Sequence, residues 1–271
     1  MTRPTELGKK ILFLATAPCV QSYFDNESIR KQFEDYDLAC INYMLEYSQK
    51  EMFEWQPKYF ILFDPIFYRG SRNPEDADYN SEKEKVCNIL ERVNWKCYVV
   101  TSVLADFELK NENVSYIYIS CFEVGYKKYL HGLYKRNLIN MGIYNVVQGA
   151  IYFAITFGYK DISIIGCTYT NLPIEMTEKG LRVQDHTHYY DLTRYEETIS
   201  FERLLEYKDG YMVDLYKRAE KSHRCFWNLR RYGERLGATI TNYSPKSMID
   251  AFAVGRLSVD NNEVSNNGVK K

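Results

Sequence analysis

The densest chemistry in the chain is the stretch Asp185-His186-Thr187-His188-Tyr189-Tyr190-Asp191. In an extended segment residues two apart share a face, so His186 and His188 set two imidazoles side by side. Imidazole exchanges protons near neutral pH, which makes either histidine a candidate general acid or base. The neighbouring tyrosines offer phenols for phosphate or sugar oxygens. The stretch also reads as a solvated polar loop or, third in order, as a metal site, although no HxxxH or HExxH helix supplies further ligands. His131 and His223 lie among Lys, Arg and Tyr on expected helices and read as surface residues.

A second set of polar residues comes after short apolar runs. It comprises Thr16-Ala17-Pro18-Cys19, Asn42, Asp64-Pro65, Gly166 through Thr170, and Ser244-Pro245-Lys246-Ser247. The set is polar, largely uncharged, and holds one carboxylate. It contains no GxGxxG, no GxxxxGK[ST] and no GxSxG, which argues against a dinucleotide site, a P-loop phosphotransferase and an α/β-hydrolase. Singly, Asn42 and Asp64 read as turn-formers. Asp76-Ala77-Asp78 spells an Asp-x-Asp element but falls in a charged loop and reads as a solvated turn.

The elements that would position these residues are legible in the apolar periodicity. Runs at 11–15, 37–41, 59–63, 96–100, 161–165 and 238–241 read as buried parallel strands. Helical patterns occupy 81–93 (opened by a Ser81 cap), 147–157 and 213–236. Their alternation predicts an α/β fold, a mainly parallel sheet flanked by helices. In such sheets ligands bind beyond the carboxyl ends of the strands, where the second set lies. Residues 68–80 read as a polar loop. Residues 168–212 form a long, polar, Tyr-rich insertion expected to act as a lid. The expected organisation is one domain built from 9–167 and 213–257, the lid at 168–212, and a disordered tail at 258–271.

Composition narrows the class. The 271 residues carry 35 Lys and Arg against 36 Asp and Glu, a formal charge of −1 that argues against a nucleic-acid partner. Seven cysteines show no CxxC or metal-ligand rhythm and are expected as free thiols in a reducing compartment. No stretch is long and apolar enough for a signal or a span, which predicts a cytoplasmic chain or, at most, one peripheral to the inner membrane. Tyrosine is in excess, at 25 against 14 Phe and 3 Trp. Its ring packs and its tip hydrogen-bonds, so the excess suits a polar cleft as well as a core.

Taken in order, KKILFLATAP, Asn42 in ACINY, Asp64-Pro65 in LFDPIF, GAIYFAITFGYKDISIIGCTYT at 149–170, Thr187-His188-Tyr189 and Ser244-Pro245-Lys246-Ser247 resemble the bacterial sialyltransferases of glycosyltransferase family 42 and their capsule and lipopolysaccharide relatives. The resemblance spans roughly residues 9–253 and rests on the shared order of short motifs. It implies a Rossmann-like, GT-A-like variant fold with a lid. It also implies a metal-independent inverting transferase that moves sialic acid, Kdo or a related sugar from a CMP-activated donor to a glycan hydroxyl. No cofactor or metal is expected, and a homo-oligomer is compatible with it. By the same resemblance Thr16 and Ala17 would contact the nucleotide or its phosphate, and Asn42 and Asp64 would lie around donor and acceptor. Gln148, Gly149, Gly166, Thr168 and Thr170 would line the nucleotide site. Tyr189 would hydrogen-bond the leaving phosphate, and Ser247 would help close the pocket. A gapless alignment puts Leu192 at the family's base histidine and Asn145 at its arginine, so the base role passes to His186 or His188, with Asp64 or Asp191 as alternatives. Two other classes stay open: another α/β enzyme, such as a metal-assisted hydrolase or phosphoesterase using His186 and His188, and a non-catalytic partner subunit.

Overall fold

The apolar runs become strands because they are apolar toward both faces of the sheet. Ile11, Leu12, Phe13 and Leu14 have no exposed surface, as a central parallel strand covered by helices requires. The computed structural model describes residues 9–68, 77–107, 109–168, 173–178, 180–184, 196–200 and 211–258. Its strands, in chain order, are Lys10–Leu14 (β1), Asp37–Ile41 (β2), Tyr59–Leu62 (β3), Cys97–Ser102 (β4), Val114–Ile119 (β5), Asp161–Ile165 (β6), Pro173–Thr177 (β7), Gly180–Gln184 (β8), Glu196–Ser200 (β9), Thr239–Asn242 (β10) and Ala253–Val254 (β11).

Eight of them form one sheet in the order β11-β10-β6-β1-β2-β3-β4-β5. Every pairing in it is parallel. The register places Leu12 of β1 opposite Leu38 of β2 and Ser163 of β6. The chain builds outward from β1 through β5, then crosses back and adds β6, β10 and β11 on the other side. The order therefore reverses between β1 and β6. This is a doubly wound, Rossmann-like α/β sheet; the periodicity predicts its parallel strands and flanking helices, and the resemblance implies its Rossmann-like form. All six expected strands form.

Two strands of this sheet escaped the periodicity. β5 reads VSYIYI, an alternating edge strand with exposed positions at Ser115 and Tyr118, unlike the continuous apolar runs of the centre. β11 has two residues and no apolar pattern to detect. Within the expected insertion at 168–212, β7, β8 and β9 form a separate antiparallel sheet.

The helices are Gln21–Asp25 (α1), Glu27–Lys31 (α2), Met44–Tyr47 (α3), Gln49–Trp55 (α4), Ala77–Leu90 (α5), His131–Lys135 (α6), Val146–Phe157 (α7) and Tyr211–Arg235 (α8). α5 starts four residues before the expected cap, so Ser81 lies inside it, and its end tightens into turns such as Arg92 N–H to Ile89 O. α7 keeps closely to the expected range. The Asn145 side chain accepts from the Gln148 N–H at its start (2.9 Å), and Gly158 at φ 105° ends it.

Helices cover both faces. On one, Leu12, Leu14, Cys40 and Phe60 pack with Tyr23, Ile29, Met52 and Ile89 of α1, α2, α4 and α5. On the other, Ile11, Phe13, Ala39 and Ile61 pack with Tyr134, Phe153 and Leu229 of α6, α7 and α8. This second core absorbs much of the tyrosine excess. Tyr59, Tyr134, Tyr152, Tyr159 and Tyr232 are fully buried, and each phenol has a partner. Tyr152 donates to Ile139 O (2.6 Å), and Tyr159 donates to Asp37 Oδ2 (2.5 Å), which also holds Lys58. A phenol can serve as core only when its tip is satisfied in this way.

Candidate functional site

The reversal of strand order leaves a gap beyond the carboxyl ends of β1 and β6, and the local sequence keeps it open. Gly166 comes directly after β6 at φ 85°, and a Cβ there would stand 2.3 Å from the Ala15 carbonyl oxygen. Only glycine lets the two strand ends approach this closely. They are joined by Ala15 N–H to Ile165 O and Ala17 N–H to Gly166 O, both 2.8 Å. From this point a cleft of about 720 Å³ runs across the carboxyl ends of β6, β1, β2, β3, β4 and β5. Six neighbouring strands spaced about 4.8 Å apart give it a length near 24 Å, more than one small ligand needs.

Six residues singled out from sequence meet in this cleft: Thr16, Ala17, Asn42, Asp64, Gly166 and Thr168. Asn42 comes after β2 in a left-handed conformation, φ 48°, which asparagine tolerates better than most residues. Its Oδ1 is buried and has no hydrogen-bond partner among the described residues. A buried carbonyl oxygen of this kind costs free energy until a donor reaches it, so it marks where a ligand donor fits. Asp64 caps the short 3-10 turn at Pro65–Phe67 by accepting from the Ile66 N–H (3.1 Å) and still faces the cleft.

Other expected residues take different places. Gln148 is fully buried behind the wall. It accepts from the Tyr144 N–H (2.8 Å) and donates to the Ser222 carbonyl and hydroxyl of α8 (2.9 and 2.8 Å). Gly149 lies against the Phe63 ring, which a Cβ would approach to 2.9 Å. Neither is part of the cleft lining. Ser247 is also outside it. Its Oγ donates to the Cys167 carbonyl (3.0 Å) and accepts from Asn242 Nδ2 (3.0 Å), while the Ser244 Oγ accepts from the Cys167 N–H (2.8 Å). The loop after β10 thus clamps the loop after β6 from behind. His186, His188, Tyr189 and Thr170, with the alternative base Asp191, lie outside the described residues.

The far half of the cleft was not foreseen because it hangs on β5. Beyond Ser102 at the end of β4, it brings in Ser120, Cys121, Glu123, Asn140 and Tyr144. Tyr144 donates to Glu123 Oε1 at 2.8 Å, and its phenol is pushed up to about 12, first by burial and then by that carboxylate. Gly142, at φ 89°, makes room for the pair: a Cβ there would lie 2.9 Å from Glu123 Oε1 and 3.1 Å from the Tyr144 ring. Asn140 fixes the Glu123 loop, with its N–H donating to Phe122 O and its Nδ2 to Ser120 O.

The lining carries two carboxylates, Asp64 and Glu123, and no Lys, Arg or His among the described residues. Burial pushes the thiols of Cys19 and, to about 12, Cys167 upward, so both stay protonated at neutral pH and neither is a poised nucleophile. Among the described residues no group of three His, Cys, Asp or Glu side chains gathers as a metal-ligand set. The arrangement can hold a hydroxyl-rich ligand through neutral donors and acceptors and can accept a proton at one of two carboxylates. Comparison of the chain with protein-family models, curated proteins and solved structures finds no match.

Proposed function

We propose that the chain is a metal-independent, inverting glycosyltransferase. It moves a sugar from a CMP-activated donor, sialic acid or a related acid such as Kdo, to a glycan hydroxyl in capsule or lipopolysaccharide assembly. The observation that carries this reading is the cleft itself. Residues chosen by the order of short motifs, Thr16, Ala17, Asn42, Asp64, Gly166 and Thr168, converge on one cleft at the point where strand order reverses. Its length gives room for a donor and an acceptor end to end.

In this reading the nucleotide lies over β6 and β1, near Thr16, Ala17 and Thr168. The acceptor enters from the β4 and β5 side. A base takes the acceptor hydroxyl proton as that oxygen attacks the anomeric carbon. The bond to the phosphate oxygen breaks, and its electron pair leaves with the nucleotide monophosphate. Hydroxyls and backbone N–H groups stabilise the departing phosphate. One phosphate rather than two carries little charge to neutralise, so a metal is not required. His186 and His188 remain base candidates beside Asp64, and Glu123 joins them from the β5 end.

Calorimetric titration with CMP, UDP and GDP in the presence of a chelator tests the reading. CMP is expected to bind; no heat with any nucleotide overturns it. Metal content of the purified protein tests the hydrolase alternative.

A further inference from the structure

We infer that residues 122–138 form a docking face for a bilayer rich in anionic phospholipid, placed at the β5 rim of the cleft. The inference rests on charge and exposure, not on the proposed reaction. Between Glu123 and Asp161 the chain has no Asp or Glu at all, while Lys127, Lys128, Lys135 and Arg136 fall in its first half. All four are exposed. None is paired with a carboxylate among the described residues. Glu123, the nearest acid before them, lines the cleft and accepts from Tyr144.

The long helix α8 shows the contrast. It carries seven cations interleaved with three acids, and Arg218, Arg224 and Arg230 each pair with an acid four residues away: Asp214, Glu220 and Glu234. Acids thus stand among the cations of α8, whereas from Val124 to Leu138 no acid interrupts them.

The same segment exposes large apolar side chains. Phe122 is 68% exposed, Tyr129 77% and Leu138 55%. An aromatic ring at headgroup depth beside lysines and arginines is the composition of an interfacial membrane anchor. The mount is rigid. The Tyr134 phenol accepts from the Lys127 N–H (2.9 Å) and donates to the Gly125 carbonyl (2.5 Å), which ties the Lys127-Lys128-Tyr129 turn onto α6. Asn137 Nδ2 donates to Tyr118 O and Asn140 Nδ2 to Ser120 O, both 2.7 Å, which ties the end of the segment back to β5. Among the described residues no helix is long and apolar enough to cross a membrane, so this face would hold the chain on the surface. Glu123 within the segment, and Cys121 and Asn140 beside its two ends, also line the cleft. A docked bilayer would therefore meet the cleft at its β5 end.

Co-sedimentation of the full chain with vesicles tests the inference. Binding is expected with equimolar phosphatidylcholine and phosphatidylglycerol, and not with phosphatidylcholine alone. High salt should weaken it. Each removed cation should lower partitioning about five-fold, so K127E/K128E/K135E/R136E should lose several hundred-fold. F122S/Y129S/L138S should weaken binding at unchanged charge, and K217E/R218E on α8 should not. All these side chains are exposed, and circular dichroism of each variant checks that the fold is kept. The inference is overturned if the mixed vesicles do not bind, if the quadruple variant binds as well as wild type, or if only the charge and not the apolar triple matters. In that last case the face is a general polyanion site, and duplex DNA would compete with the vesicles.

Discussion

Asn42 concentrates the physics of the cleft in one side chain. It sits in the left-handed region and buries an acceptor with no partner among the described residues, two costs that fold stability alone does not explain. Asn42→Gly should therefore keep thermal stability within about 1 kcal/mol, since glycine relieves the backbone while adding unfolded-state entropy. The same change should weaken CMP binding about ten-fold, the worth of one hydrogen bond. Calorimetry on a variant with an unchanged melting curve separates the two effects. The base assignment is also a residue-scale question. If Glu123 is the base, Glu123→Gln lowers kcat by about 10²–10⁴ with CMP affinity intact. If instead His186→Ala or His188→Ala shows that loss and Glu123→Gln does not, the proton goes to the insertion.

At the scale of elements, the wall of the cleft is braced through a buried amide. Gln148, in the first turn of α7, links Tyr144 to Ser222 of α8. Gln148→Leu preserves bulk but leaves the Tyr144 N–H without its acceptor. The buried Ser222 hydroxyl loses its Gln148 donor as well, and an unpaired buried polar group costs about 1–3 kcal/mol, so the urea midpoint should fall accordingly. Tyr144 would lose its fixed position beside Glu123, and transfer should fall with it. The resemblance implies a nucleotide-lining role for Gln148, whereas its side chain is buried and bonded to Tyr144 and Ser222 instead of lining the cleft. Ser247 has a similar history. The Pro-x-Ser loop is visible in the sequence, yet the hydroxyl acts from behind, holding the Cys167 carbonyl.

Across the whole molecule, the tyrosine excess becomes a statement about alkaline stability. Burial raises the phenols of Tyr59, Tyr152 and Tyr159, and takes Tyr232 up to about 12; burial likewise takes the thiols of Cys97 and Cys167 up to about 12. The unfolded values are 9.0 for the thiols and 10.0 for the phenols. Above those values the unfolded chain holds fewer protons than the folded one, so stability falls as pH rises. The contribution is complete below about pH 9 and is lost as pH passes 12. Phenolate absorbance tracked alongside circular dichroism should show the buried tyrosines ionising together with unfolding. Their gradual ionisation in a chain that keeps its circular dichroism would contradict the packing of Tyr59, Tyr152, Tyr159 and Tyr232.

The sequence by itself determined the central sheet. β1 and β3 are apolar on both faces and β6 nearly so, and a largely apolar run ended by a small or polar residue leaves a parallel strand as its natural place. It also placed Thr16, Asn42, Asp64 and Gly166 at strand ends, because chain order alone shows which residues succeed a strand. It did not reveal β5, whose alternating VSYIYI belongs to an edge, nor Glu123 and Tyr144, which depend on β5 for their place in the cleft. Only the tertiary structure decided which strand ends are neighbours, since the pairing of β1 with β6 joins Lys10 to Asp161, more than a hundred positions away. It also decided which polar groups face the cleft and which are spent inside. Burial and hydrogen bonding are properties of the packed chain, and no local spacing encodes whether an amide such as Gln148 meets a ligand or a neighbouring helix.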